Sequence, residues 1–218
     1  MERTVTQEIL DSGDAPPDVV AASLHDLATV NRWFGGVRTS RFLLERVARE
    51  RKFRTIDVLD VASGDGFVPK QVATRLRRQG VNVRLTFLDR FARHLPPDVP
   101  GLVGDALDLP FEDNTVDVVS SCLFLHHLEA EDVRRFARES LRVARHAVII
   151  NDVVRSGFNY LGAAAFLPLL HPISRHDGLA SIRRAYTPDE IRTMLQGIGV
   201  PVEVTTHYFF RVGVILWK

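Results

Sequence analysis

The sequence predicts an α/β protein built on an open, mostly parallel sheet, and three observations carry that expectation. Apolar strand-like runs alternate with amphipathic helical stretches over residues 56–150, as crossover connections between parallel strands require. The first run, Ile56, Asp57, Val58, Leu59, Asp60, Val61, is nearly continuous in apolar character, as suits a strand buried on both faces. It breaks into Ala62, Ser63, Gly64, Asp65 and Gly66, a small-residue turn where such a sheet holds a nucleotide-like ligand.

Taken in order, residues 16–50 predict two helices interrupted at Gly35 and Gly36, forming an N-terminal cap. Strands are expected at 55–61, 83–88, 99–103, 116–121 and 147–151. Helices are expected at 68–79 and 131–143, with a short piece at 91–95. The helix at 131–143 carries Val133, Phe136, Ala137 and Leu141 at helical spacing, with charges opposite. Residues 153–186 are an insert rich in aromatic residues, proline and histidine. Within it, residues 160–170 are too short for a membrane span and contain Pro168, and they read as a buried or cleft-lining helix. Thr187, Pro188, Asp189 and Glu190 read as a helix start with Thr at the N-cap and Glu at N3, ending at Gly197 or Gly199. Residues 202–206 and 209–217 close the chain as antiparallel neighbours. One domain is expected over 1–218: a cap (1–52), a core (53–152), the insert (153–186) and a final helix and strand pair (187–218).

Composition narrows the function. The chain of 218 residues is 45% apolar and 25% charged, ordinary for a soluble globular protein. A net charge of +1 gives no electrostatic case for nucleic acid as an obligatory partner. The lone Cys122 rules out an internal disulfide framework and a multi-cysteine zinc site, so no metal is expected, and it suits a reducing, cytoplasmic setting. The N-terminus lacks a secretory pattern, and no run reaches the ~18 apolar residues of a membrane span. A small-molecule partner is expected, with a homodimer left open.

The turn after the first strand suits two cofactor classes. A dinucleotide fingerprint needs G-x-G-x-x-G, but the frame from Gly64 places Pro69 at the third glycine. The alternative is S-adenosylmethionine, and here the chain resembles the class I methyltransferase family. Asp60 to Gly66 is similar to its first motif, with Ala62 replacing a glycine. Asp89 at the end of the second strand matches its second motif, and Asp105 after the third strand matches its third. Phe111 to Val119, then Leu125, His126, His127 and Leu128, resemble the approach to and exit from strand four.

The resemblance implies a Rossmann-like class I methyltransferase fold: a seven-stranded, mostly parallel sheet with an antiparallel last strand, helices on both faces and an N-terminal helical lid. It implies S-adenosylmethionine as cofactor, held by Asp60, Ala62, Ser63, Gly64, Gly66, Asp89, Arg90, Asp105, Ala106, Leu107 and Cys122. Asp89 would take both ribose hydroxyls, Asp105 would sit near the adenine amino group, and Leu107 would cover the ring.

Methyl transfer to a phenol or carbon acid gains from a base, and histidine titrates in the right range. His127 is expected to face the cleft, with His126 and His171 as the other candidates. Trp33 is expected to cover the site. Asp152, Arg155, Tyr160, Phe166 and His176 are expected at the acceptor, amid an apolar wall from the insert. The expected reaction is O-methylation of a small phenolic metabolite in secondary metabolism. C-methylation of a quinone precursor and a non-catalytic cofactor-binding partner are the alternatives, with a nicotinamide oxidoreductase third.

Overall fold

The computed structural model describes residues 1–10, 16–96 and 98–218. Helices α1 (Pro17–Trp33) and α2 (Gly36–Glu50) lead the chain. They meet so tightly that a Cβ on Gly36 would lie 2.0 Å from Oδ1 of Asn31, so a residue without a side chain is required there. The chain continues through β1 (Thr55–Val61), α3 (Phe67–Arg77), β2 (Asn82–Asp89), β3 (Gly101–Val103) and β4 (Val116–Cys122). Then come α4 (Ala130–Val143), β5 (Ala144–Val153), α5 (Gly157–Phe166), α6 (Pro172–Arg184), α7 (Pro188–Leu195), β6 (Val202–His207) and β7 (Arg211–Trp217).

The strands form one seven-stranded sheet in the order β3-β2-β1-β4-β5-β7-β6. The pairs among β1 to β5 are parallel, and β7 runs antiparallel to both β5 and β6. This is the Rossmann-like sheet the sequence predicts. Strand order reverses between β1 and β4, which opens a crevice at their carboxyl ends, the place where such sheets hold ligands.

Alternation along the strands builds two apolar layers. Ile56 and Val58 pack with Leu43, Val47, Val72 and Leu76 of α2 and α3. Leu59 and Val61 share the opposite layer with Phe136 and Leu141 of α4 and Ile191 of α7. The helical spacing read for α4 is thus its buried face: Val133, Phe136 and Ala137 are fully enclosed. α7 starts as expected, with the Thr187 hydroxyl accepting from the Glu190 N–H and the Glu190 carboxylate accepting from the Thr187 N–H.

Several boundaries differ from expectation for identifiable reasons. β3 is only three residues long, because Pro100 precedes it and β2 is its only partner. The last strand starts at Arg211: Phe209 and Phe210 take φ of +60° and +53° and form the turn instead. α7 ends at Leu195, ahead of both glycines. The insert forms two helices, broken where His171 caps α6 and Pro172 occupies its first turn. α5 buries none of its residues, and Phe158 and Leu161 are 80% and 67% exposed, so this helix does not supply the expected apolar wall. No helix among the described residues is long and apolar enough to cross a membrane.

Gly66 joins the turn to α3 with φ +69°, and a Cβ there would lie 2.4 Å from the buried Phe87 ring. Gly66→Ala is therefore expected to lower the unfolding free energy by about 2–4 kcal/mol in urea titrations. A loss below about 0.5 kcal/mol would mean the ring and turn yield freely.

Candidate active site

The site begins at the turn after β1. Ala62 and Gly64 both take left-handed backbone, φ +56° and +54°. Asp89, ending β2, holds that turn: its Oδ2 accepts from the Gly64 N–H at 2.9 Å. Its Oδ1 accepts from the Phe91 N–H at 3.0 Å and lies 3.2 Å from Nδ1 of His94. Burial pushes the Asp89 pKa up, but His94 and the two N–H groups outweigh it and hold the carboxyl below its usual range. A carboxylate offers about four acceptor positions, and three are used here. The expected pair of ribose hydroxyls thus meets an acid with one position open, His94 occupying the other. Nε2 of His94 and Oγ of Ser63 are buried without a hydrogen-bond partner, groups that a polar cofactor at this turn would satisfy.

Asp89 and the turn border a cavity of about 760 Å³, within the ~300–1,000 Å³ of small-molecule sites. Ala62, Gly64, Asp89, Arg90, Asp105, Ala106 and Leu107, all expected at the cofactor, line one part of it. Phe91, His94 and Leu88 join them, unforeseen. Asp105 sits at the exposed rim, its Oδ1 accepting from the Leu107 N–H at 2.9 Å.

The rest of the cavity is built from segments distant in the chain. His126 and His127 both line it, from a single turn of 3-10 helix after β4. Beside them lies Glu8, on an N-terminal segment that crosses from α6 to the exit of β4. Asp177 of α6 accepts the N–H groups of Ile9 and Leu10 at 2.9 and 3.1 Å. Arg3 donates to the carbonyls of Arg184 and Leu128 and lies over the Tyr186 ring. Leu24, Leu27, Leu167 and Leu170 add apolar wall from α1 and from the α5–α6 connection.

His126 is 2% exposed and flanked by two acids. Its Nδ1 lies 2.7 Å from Oδ1 of Asp152, whose Oδ2 accepts the His126 backbone N–H at 3.0 Å. Its Nε2 lies 3.4 Å from Oε1 of Glu8. Burial pushes the imidazole pKa down, and the charges and hydrogen bonds of Asp152 and Glu8 more than reverse this, leaving it raised. Burial likewise pushes both carboxyls up, and His126 brings each below its usual range. His127 presents Nε2 3.8 Å from Oε2 of Glu8.

Other expected site residues are placed outside the cavity lining. Trp33 is 68% exposed at the end of α1 and covers nothing; Leu24, Leu27 and Val30 of that helix line the cavity. Asp152 is buried behind His126 and does not reach the acceptor space. Arg155 pairs with Glu190 at 2.6 Å and donates to the Ala185 carbonyl. The Tyr160 hydroxyl accepts from Arg183, and Phe166 stacks edge-on against Phe34. Nδ1 of His171 accepts the Ile173 N–H as the cap of α6, and His176 pairs with Asp177. Burial pushes the Cys122 thiol up to about 12, and Asn151 donates to its sulfur, so it is a packed neutral group. Gly66 shapes the turn from behind.

Asp60 faces α2 and α3, where it accepts from the Ser120 hydroxyl beside a void of about 20 Å³, room for about one water. Burial pushes its pKa up to about 7 against that hydrogen bond, and Asp89 adds to the rise. Glu8, His94 and Asp177 are the residues that sequence reasoning missed. None sits in a periodic run or a recognisable spacing.

A parallel sheet with its order reversed at β1/β4, small residues in the β1 turn and an acid at the end of β2 are features of the Rossmann-like methyltransferase fold. Residues 59–150 match a family model described as a methyltransferase domain, which supports a methyltransferase with S-adenosylmethionine as its cofactor. Solved structures share the fold at low identity. One is a methyltransferase from Aquifex aeolicus, at 18% identity and a TM-score of 0.61, covering 94% of this chain and 99% of that one. Another is the plantazolicin methyltransferase in complex with S-adenosylhomocysteine, at 12% identity and a TM-score of 0.70, covering 96% and 93%. A third is the magnesium protoporphyrin IX methyltransferase from Synechocystis, at 14% and 0.56, covering 84% of each chain. No curated protein matches the sequence.

Two outcomes follow from these acids. Asp89→Asn is expected to weaken S-adenosylmethionine binding about 10–100-fold by calorimetry, the value of a hydrogen bond to a charged group; unchanged affinity would remove Asp89 from the cofactor site. Asp60 keeps its proton to about pH 7 in the folded chain, whereas an unfolded aspartate releases it near ~4. The folded state therefore binds more protons across that window, and its stability falls as pH rises through it. Asp60→Asn should flatten this decline in urea titrations from about pH 4 to 8; an unchanged slope would mean the carboxyl is ionised throughout.

Proposed function

We propose that the protein methylates a hydroxyl oxygen of a small apolar or aromatic acceptor, such as a phenol. The observation that carries this reading is the grouping of Glu8, His126 and His127 on one wall of an otherwise leucine-rich part of the cavity. The cofactor supplies an electrophilic methyl group on a sulfonium. The protein's share is to align the acceptor and keep competing water out.

Ala62, Gly64 and Asp89 hold the donor, with Leu107 and Phe91 beside it. Leu24, Leu27, Leu167 and Leu170 bind the acceptor's apolar body and exclude water. Glu8 and His127 face its hydroxyl, and a polar group in an apolar surround favours a hydroxyl that it can deprotonate or polarise. Asp152 fixes the His126 ring and thereby the backbone that carries His127.

The test is methyl transfer from labelled S-adenosylmethionine to a panel of phenols. His127→Ala is expected to lower kcat about 10²–10⁴-fold while leaving the cofactor Kd unchanged. Full turnover in that variant, or a loss of cofactor affinity equal to that of Asp89→Asn, would overturn the role of His127. Cofactor binding without turnover on any hydroxyl acceptor would overturn the reading itself.

A further inference from the structure

We infer that Glu8, His126 and His127 form a binding site for one divalent transition-metal ion of the zinc class, open towards the acceptor end of the cavity. One ligand atom from each residue lies within 4.8 Å of the other two. Oε1 of Glu8 is 3.4 Å from Nε2 of His126, and Oε2 is 3.8 Å from Nε2 of His127. A cation about 2.0–2.1 Å from each ligand in tetrahedral geometry needs ligand atoms about 3.4 Å apart. The cluster reaches it by contracting, by at most about 1.4 Å between its outermost ligand atoms.

Three further observations point to an ion. Nε2 of His126 is buried and faces the Glu8 carboxylate at 3.4 Å without good hydrogen-bond geometry, although its ring is held firmly through Nδ1 by Asp152 at 2.7 Å. A ligand histidine whose other nitrogen is held by a carboxylate is the usual outer support of a metal site. Glu8 has such support as well, since the Ser181 hydroxyl donates to its Oε1 at 2.8 Å. The charges agree: Glu8, Asp152 and Asp177 gather around this wall, with Arg184 the cation that lines it. Two imidazoles and one carboxylate suit zinc or iron(II) better than magnesium or calcium.

Three protein ligands leave coordination positions free on the cavity side. The role of the ion rests on the hydroxyl-acceptor reading above; its binding does not. With the ion bound, Glu8 and His127 act on the hydroxyl through it: an acceptor hydroxyl that takes a free position becomes more acidic and would release its proton to water at the cavity mouth. A lone pair of that oxygen then forms the C–O bond as the S–CH3 bond breaks, its electrons going to sulfur. The products are the methyl ether and S-adenosylhomocysteine, with the cation unchanged.

The test uses the full chain, stripped with a chelator and titrated with zinc chloride alone in a calorimeter, without cofactor or acceptor. One ion per chain is expected, with affinity lower by roughly 100-fold or more in Glu8→Gln and in His127→Ala. His146→Ala, a histidine on β5 away from the cavity, is expected to bind as the unaltered chain does. No stoichiometric binding, or binding that survives both substitutions, would overturn the site as adventitious surface binding. If the variants do not fold, X-ray absorption on the zinc-loaded unaltered chain decides: two imidazoles and oxygen ligands support the site, and fewer than two imidazoles overturn it. Because no acceptor is present, failure here and failure of the hydroxyl reading are separate results.

Discussion

The His126 end of the cavity depends on one buried carboxylate. Asp152, at the end of β5, accepts both the backbone N–H and the ring Nδ1 of His126, so it fixes the chain and the side chain of the segment leaving β4 in one stroke. That segment in turn sets His127, whose carbonyl accepts from Arg184 of α6. Leu128 offers its carbonyl to Arg3 and Tyr186. Removing one partner of a buried pair commonly costs ~3–5 kcal/mol, because the other is left charged and unpaired. Here the loss would propagate to the N-terminal segment, the insert and the exit of β4 together.

The two parts of the cavity differ in how they are made. The part beside the β1 turn comes from successive strand ends of one sheet, so its geometry is set by β-pairing between β1, β2 and β4. The part around His126 and His127 is assembled from the first ten residues, α1, the α5–α6 connection and the turn after β4. Its polar groups are joined by contacts spanning most of the chain, such as Ser181 to Glu8 across 173 positions. A sheet edge of the first kind accommodates one donor across many proteins, and an assembly of the second kind can be altered segment by segment.

This difference explains what was legible in the sequence. The strand runs, the α4 stripe and the Thr187 cap are local signals, and each marks the element that forms. Asp89, Gly64 and Asp105 were legible because strand ends carry position in the sequence itself. Glu8 was not, since nothing within its own segment distinguishes it from a surface acid, and its partners lie far along the chain. Trp33 and the aromatic residues of α5 misled for the opposite reason: they are large and apolar, yet Trp33 and Phe158 lie exposed, while Tyr160 and Phe166 pack against Arg183 and Phe34 rather than lining the cavity. Asp152 was singled out as an acceptor contact, but it lies outside the cavity lining and holds His126, which lines it. Asp60 reads as the strand-end acid of the turn, but strand alternation directs its side chain to the α2 and α3 layer.

Ala62 has a consequence for motion. A glycine visits left-handed and right-handed backbone with similar ease, whereas an alanine held at φ +56° sits roughly 1 kcal/mol or more above its preferred conformation. Beside it, the turn is tied by the Gly64 N–H to Asp89 and the Gly66 N–H to the Ser63 carbonyl. It therefore behaves as a sprung catch. A change that weakened the Asp89 contact would therefore let the alanine relax towards its preferred backbone.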